Sequence, residues 1–129
     1  MATPPTEPGD MPPLTPAVFH VLLALADGER HGYAIMQEVA ASTGGRIRMG
    51  PGTLYGTIKR LLEARMIEES DERPDPDLDD ERRRYYRLTA LGQRAARTEA
   101  SRYAAMTAVA RRKRLIGKPA RTALQGGLT

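Results

Sequence analysis

The 129-residue chain contains no cysteine and no tryptophan, and it has a single phenylalanine. The absence of cysteine excludes disulfides, thiolate zinc sites and cysteine nucleophiles. Because aromatic residues make up only 5% of the chain, a core must be built from Leu, Ile, Val, Met and Ala, which favours helices over a β-sandwich. No apolar run approaches the roughly 20 residues of a membrane span, and residues 1–13 do not resemble a signal peptide. The sequence therefore predicts a cytoplasmic protein without membrane contact.

Charge and chemistry favour a binding protein over an enzyme. Lys and Arg number 20 against 16 Asp and Glu, a net charge of +4 that is compatible with a nucleic-acid partner. No nucleophile, base and orienting group occur together at a plausible spacing, so we predict neither an enzyme nor a cofactor. Two histidines give little basis for a metal site, and the calcium-loop spacing of Asp75, Asp77 and Asp79 fails at Asp80 and Tyr86. We predict no metal.

Residues 49–67 form the segment around which the rest of the chain is organised. After Pro51, the helical spacing predicts a buried stripe of Leu54, Ile58, Leu61 and Leu62. The opposite face carries small, hydroxyl and basic side chains, namely Gly52, Thr53, Gly56, Lys59 and Arg60. Such a face fits closely against a polyanion, which suggests a helix in a groove of DNA. A solvated helix face is the alternative interpretation.

Two shorter helices precede this segment. Residues 1–13 are rich in proline and predict a disordered leader. Thr15 and Pro16 are typical of a helix start, and the helix should end near residues 27–28. After a connection at residues 29–30, a second helix should run from His31 to a stop at residues 43–45. The alternation at residues 46–49 suggests a very short strand.

The second half predicts a hairpin and a long final helix. Segments 66–70 and 83–88 flank a polar, acidic insert and should pair as the wing of a winged helix-turn-helix. Thr89 then caps a helix whose thinly apolar stripe has nothing left to cover it, so we expect it to meet a second copy of the chain. The predicted dimerisation residues are Ala95, Thr98, Arg102, Ala105, Met106 and Val109.

Several short motifs, in this order and spacing, resemble the PadR family of bacterial transcriptional regulators. They are Leu14-Thr15-Pro16, His31-Gly32-Tyr33, Gly52-Thr53-Leu54-Tyr55, Arg60-Leu61-Leu62, Met66-Ile67 and the segment from Arg84 to Gly92. The resemblance implies a winged-helix dimer that represses transcription at a palindromic operator, often released by a small effector. Three features depart from the family pattern: Gly56 stands where proline is usual, the hairpin is longer and more acidic, and the tryptophan that stacks aromatic drugs in some members is absent.

These observations define a set of expectations. The fold should be mainly α with a small β-hairpin: a leader at 1–13, a winged helix-turn-helix at 14–88, a dimerisation helix at 89–114 and a flexible tail at 115–129. The partners should be double-stranded DNA, a second copy and a small aromatic effector. The predicted DNA-binding residues are Tyr33, Gly52, Thr53, Tyr55, Lys59, Arg60, Arg82, Arg83 and Arg84. The predicted effector pocket is lined by Phe19, Tyr103 and Met106.

A rival interpretation makes the chain a protein–protein interaction module that binds through the acidic hairpin. It treats DNA affinity as incidental, and competition by nonspecific DNA would discriminate between the two.

Overall fold

The computed structural model describes residues 14–70 and 84–118. Four helices are present: α1 Pro16–Ala24, α2 Gly32–Ser42, α3 Pro51–Glu63 and α4 Ala90–Arg112. Three short strands, β1 Arg30–His31, β2 Ile67–Ser70 and β3 Tyr85–Leu88, form an antiparallel sheet in the order β1-β3-β2. None of the described helices is long and apolar enough to cross a membrane. The predicted leader, the whole acidic insert at residues 71–82 and the end of the tail lie outside the described residues.

The predicted start of α1 and the predicted stop of α2 are both present, but α1 ends at Ala24, earlier than the predicted residues 27–28. The Ala24 carbonyl accepts a hydrogen bond from the Nε atom of Arg30 at 2.7 Å. The Thr15 hydroxyl accepts a hydrogen bond from the Val18 amide at 3.3 Å, which confirms the predicted cap of α1.

At the end of α2, Gly44 adopts a φ of +62° and the Gly45 amide donates to the Ala40 carbonyl at 2.7 Å. This bond pattern satisfies carbonyls that the helix itself leaves unpaired. It confirms the predicted stop of α2.

The sheet differs from the prediction in one strand. Residues 46–49, all of them described, form no strand; instead Arg30 and His31, predicted as a connection and a helix start, pair with Tyr86 and Tyr85 of β3. The hairpin itself is confirmed, with Ile67 opposite Leu88 and Ser70 opposite Tyr85. A two-residue strand has no periodicity of its own, so only its pairing partner more than 50 residues along the chain identifies it.

The chain forms two compact units, Met1–Glu99 and Ala100–Thr129, and the division falls within α4. The core of the first unit joins α1, α2, α3, the sheet and the start of α4. Its buried members include Val21, Leu22, Leu25, Ile35, Val39, Leu54, Ile58, Leu61, Ile67, Tyr86, Ala95 and Ala96. Leu, Ile, Val and Ala predominate, as the shortage of aromatic residues predicted.

The start of α4 is fastened to the turn that follows α3. The Thr89 amide donates to the Met66 carbonyl at 3.0 Å, and the Thr89 hydroxyl donates to the Arg65 carbonyl at 2.7 Å. The same hydroxyl accepts a bond from the Gly92 amide at 3.0 Å, which confirms the predicted cap. Gly92 lies so close to the Met66 carbonyl that a Cβ there would overlap the carbonyl oxygen. Only glycine allows this approach.

Arg65 provides a first testable prediction, since it follows the C-cap of α3 with a φ of +60°. Its amide donates to the Leu62 carbonyl, and the Met66 amide donates to the Leu61 carbonyl, both at 3.0 Å. Glycine adopts this left-handed conformation without the steric cost of a Cβ. We expect Arg65→Gly to raise the free energy of unfolding by about 1 kcal/mol, measured by urea denaturation. Arg94→Gly, on the exposed face of α4, should instead lower it; a decrease for Arg65→Gly would contradict the argument.

Candidate nucleic-acid interface

The third helix separates a buried face from an exposed face, as predicted. Leu54, Ile58 and Leu61 are buried and Leu62 is half-buried, so the apolar stripe anchors α3 to the core. The opposite side exposes Gly52, Thr53, Lys59 and Arg60 and partly exposes Gly56. The helix therefore presents backbone, a hydroxyl and two cations on one surface.

A chain of hydrogen bonds within α3 orients one of these cations. Thr57 is completely buried, and its hydroxyl donates to the Thr53 carbonyl at 2.8 Å. The same hydroxyl accepts a bond from an Nη atom of Arg60 at 3.3 Å. This bond holds the guanidinium back along the helix toward Thr53. Arg60 and Thr53 thus lie on the same stretch of exposed surface.

Tyr55 lies at the edge of this surface and packs against α2. Its side chain is 49% exposed, yet its hydroxyl lies only 2.5 Å from the point that a Cβ on Gly32 would occupy. The ring therefore lies at the border of the exposed surface, with its hydroxyl over the first residue of α2. Gly32 is therefore the residue that allows α3 and the start of α2 to approach this closely.

The His31 side chain binds a free amide at the N-terminus of α2. The Nδ1 atom of His31 accepts a hydrogen bond from the Ala34 amide at 3.1 Å, and the ring meets Tyr85 edge to face with centroids 5.3 Å apart. His31 therefore caps α2. Tyr33, which follows in the first turn, is exposed and lies outside the core. It borders a cavity of about 210 Å³ together with Arg48.

Two further cations, Arg46 and Arg48, lie just before α3, although the sequence patterns did not assign them to the site. Both are exposed in the segment that joins α2 to α3, and Arg48 shares the cavity with Tyr33 and Gln37. Their alternation with Ile47 predicts a short strand, but the structure forms none at residues 46–49. Two arginines immediately before a helix with a basic face are themselves indicative of phosphate binding.

At the base of the hairpin, cations and carboxylates are paired across the strands. Arg84 lies 3.4 Å from the Glu69 carboxylate, and the Nε atom of Arg87 donates to Glu68 at 2.9 Å. Both pairs are substantially exposed, so each contributes little to stability and can exchange partners. Of the three arginines predicted here to contact DNA, Arg84 is exposed; Arg82 and Arg83 lie outside the described residues.

Comparison with known proteins identifies the family. Residues 21–98 match the Transcriptional regulator PadR-like family. The chain belongs to this family. The PadR-like match confirms the resemblance in the sequence and the prediction of a transcriptional regulator rather than an enzyme.

Individual relatives agree with the PadR-like assignment. The chain is 42% identical over 81 residues to transcriptional regulator Rv3488 of Mycobacterium tuberculosis, covering 63% of this chain and 68% of that protein. It is 38% identical over 80 residues to an uncharacterized 37.1 kDa protein in a Streptomyces fradiae transposon, covering 62% of this chain but only 21% of that protein. A solved PadR family regulator from Clostridium difficile R20291 has the same fold, with a TM-score of 0.62, 19% identity and coverage of 74% of this chain and 95% of that one.

The PadR-like unit contains a buried phenol that provides a second testable prediction. Burial raises the pKa of Tyr86, and the neighbouring Glu69 carboxylate adds to this effect. A raised folded-state pKa means that the unfolded chain loses this proton first, so stability is complete below about pH 10 and falls as the pH rises above it. We expect Tyr86→Phe to flatten this fall in the free energy of unfolding above about pH 10. Tyr33→Phe, which removes an exposed hydroxyl, should leave it unchanged; equal slopes for Tyr86→Phe and wild type would contradict the assignment.

The predicted dimerisation residues divide into two groups. Ala95 is only 3% exposed and belongs to the core of its own chain, which corrects that part of the prediction. It packs inward because Gly92, one turn earlier, brings α4 against the rest of the unit. The remaining five are at least partly accessible: Thr98, Arg102, Ala105, Met106 and Val109. Met106, at 58%, is the most exposed large apolar residue of α4.

The three residues predicted to line an effector pocket also differ in their exposure. Phe19 is 8% exposed and therefore buried within its own chain, whereas Tyr103 and Met106 are exposed. Phe19 cannot line an open effector pocket on this surface, because its side chain is already covered by its own chain. That Tyr103 and Met106 bind an effector remains a prediction.

Proposed function

We propose that this PadR-like chain is a homodimeric repressor that binds a palindromic operator through α3. The observation that carries the proposal is the exposed face of α3, where Thr53, Lys59 and Arg60 lie opposite the apolar stripe that anchors the helix to the core. Cations position such a helix on phosphates, while the threonine hydroxyl and the arginine can meet base edges in the major groove. Arg46, Arg48, Tyr33 and Arg84 would bind the backbone as well.

The proposed dimer rests on the exposed apolar side chains in the second part of α4. Tyr103, Met106 and Val109 are all exposed, and they recur at the three-residue spacing of one helix face. A second copy would cover them and place two recognition helices on the same DNA. Such dimers recognise half-sites separated by about one helical turn, roughly 10 bp, or a multiple of it. Occupation of a promoter would then exclude the polymerase sterically.

Selection of bound duplexes from random DNA tests both parts of this proposal. We expect enrichment of an inverted repeat whose half-sites are separated by about 10 bp or a multiple of it. Enrichment of a single, unrepeated site would contradict the dimer, and an absence of enrichment would contradict sequence-specific binding. Transcription in vitro from a promoter containing the selected site should fall as the protein is added; an increase would make the protein an activator.

Release by a small aromatic effector is part of the same proposal. The support is the pair of exposed side chains Tyr103 and Met106, which offer an aromatic ring and a polarizable thioether. A thermal-shift series with phenolic and cationic aromatic compounds tests it. A compound that raises the melting temperature should also dissociate the operator complex; stabilisation without dissociation would contradict an effector role.

A further inference from the structure

The two compact units of the chain carry opposite net charges. Met1–Glu99 contains 13 Lys and Arg against 16 Asp and Glu, a formal net charge of −3. Ala100–Thr129 contains seven Lys and Arg and no acidic residue, a net charge of +7. The overall charge of +4 is therefore the sum of a negatively charged unit and a strongly positive one. At long range, DNA repels the unit that contains α3 and attracts the C-terminal unit.

Most of this positive charge is concentrated in one ordered turn at the end of α4. We call residues 111–118 the cationic turn; its charged members are Arg111, Arg112, Lys113, Arg114 and Lys118. Arg114 has a φ of +63°, and the Leu115 amide donates to the Ala110 carbonyl at 2.9 Å. The Nε atom of Arg111 donates to the Gly117 carbonyl at 2.9 Å, which ties the turn back to the helix.

A simpler explanation accounts for only part of this cluster. Cations in the last turn of a helix interact favourably with the negative end of its dipole, an effect that fades beyond that turn. It applies to Arg111 and Arg112, which lie in the last turn of α4. It does not apply to Lys118, six residues past the end of the helix, nor does it explain the absence of any acidic residue from position 100 onward. Cations packed this densely also repel one another.

We propose that the cationic turn is a second DNA-binding surface, which binds phosphates without reading base sequence. The proposal rests on the proposed function, because it assigns to the same DNA partner a surface outside α3. Its physical role would be to supply the long-range attraction that a unit of net charge −3 lacks. The predicted consequence is affinity for any duplex, with a strong dependence on salt, because each neutralised phosphate releases condensed counterions.

Charge complementarity favours nucleic acid over a lipid surface. Only two apolar residues, Leu115 and Ile116, accompany the cations, and they are 75% and 44% exposed. Stable attachment to a bilayer requires a larger apolar face or a second anchoring signal. Five cations in eight residues, by contrast, match the dense, regular charge of a DNA backbone.

The test neutralises two cations, Arg112 and Lys113, whose side chains form no hydrogen bond or ion pair with the described residues. In the full-length protein, Arg112→Gln/Lys113→Gln should weaken binding to a random-sequence duplex of about 20 bp several-fold at roughly 100 mM salt. The slope of log affinity against log salt should fall by about 1.8, which corresponds to two neutralised phosphates. The matched control, Arg94→Gln/Arg97→Gln, removes two exposed cations from the same helix within the acidic unit. It should change both quantities much less.

Binding to the selected operator separates this proposal from the proposed function. The Arg112→Gln/Lys113→Gln variant should lose affinity for the operator and for random DNA by the same factor, so that the specificity ratio is unchanged. If the wild-type protein binds its operator and both double variants give the wild-type salt slope, the cationic turn does not bind DNA, while the role of α3 stands. Loss of binding to phosphatidylglycerol-containing vesicles with unchanged DNA binding would overturn the proposal in favour of a lipid partner.

Discussion

Replacing Gly92 with alanine should lower the free energy of unfolding by about 3 kcal/mol, an overpacking cost at the upper end of the usual range. The added Cβ would overlap the carbonyl oxygen of Met66, which is backbone rather than the end of a flexible side chain. That carbonyl also accepts the Thr89 amide, so it cannot move without breaking the bond that fastens α4. Helix propensity alone would favour alanine by about 1 kcal/mol, and the overlap outweighs it.

Gly56→Ala is the matched control for this prediction. Gly56 also lies inside a helix, but among the described residues no atom outside its own helix backbone approaches within 4 Å of a Cβ placed there. The same substitution should therefore raise the free energy of unfolding by up to about 1 kcal/mol. Urea denaturation of both variants measures the two changes in the free energy of unfolding. An increase for Gly92→Ala would show that the approach of α4 to Met66 is not as close as described. A decrease for Gly56→Ala would show instead that the space around Gly56 is not open.

Replacing Lys59 and Arg60 together with alanine should weaken binding to the selected operator about 100-fold at roughly 100 mM salt, or about tenfold for each side chain. Both side chains are exposed, so the folded state should survive. The salt slope should fall by about 0.9 for each phosphate that is no longer neutralised. Fluorescence anisotropy over a salt series measures both quantities. Unchanged affinity and slope would remove α3 as the DNA-binding helix.

Thr53→Ala distinguishes base recognition from phosphate binding on the same helix. Thr53 is exposed and uncharged, and its backbone carbonyl is the group that accepts the Thr57 hydroxyl within α3. Its replacement should lower affinity for the operator more than for random DNA and should leave the salt slope unchanged. An equal decrease on both duplexes would assign Thr53 to the backbone instead.

The two-faced helix α3 could be predicted because its signals are local. Leu54, Ile58 and Leu61 recur at the spacing of one helix face, and Pro51 marks the first turn, so the two faces follow from residues within 13 positions of one another. The caps at Thr15 and Thr89 are equally local, since each hydroxyl bonds an amide three residues away. The family motifs are short and ordered along the chain. The sequence therefore sufficed for the family, the order of the helices and the hairpin.

Some features of the fold could be known only from the tertiary structure, because they depend on residues far apart in the chain. The pairing of Arg30 with Tyr86 makes β1 a strand, although two residues have no periodicity to indicate it. The close approach of Gly32 and Tyr55 places the Tyr55 hydroxyl over the first residue of α2. Gly92 draws α4 onto Met66 and thereby buries Ala95, which helical spacing alone had grouped with the exposed Met106. Periodicity shows which residues share a face of a helix, but only the packing partner determines how much of that face is covered.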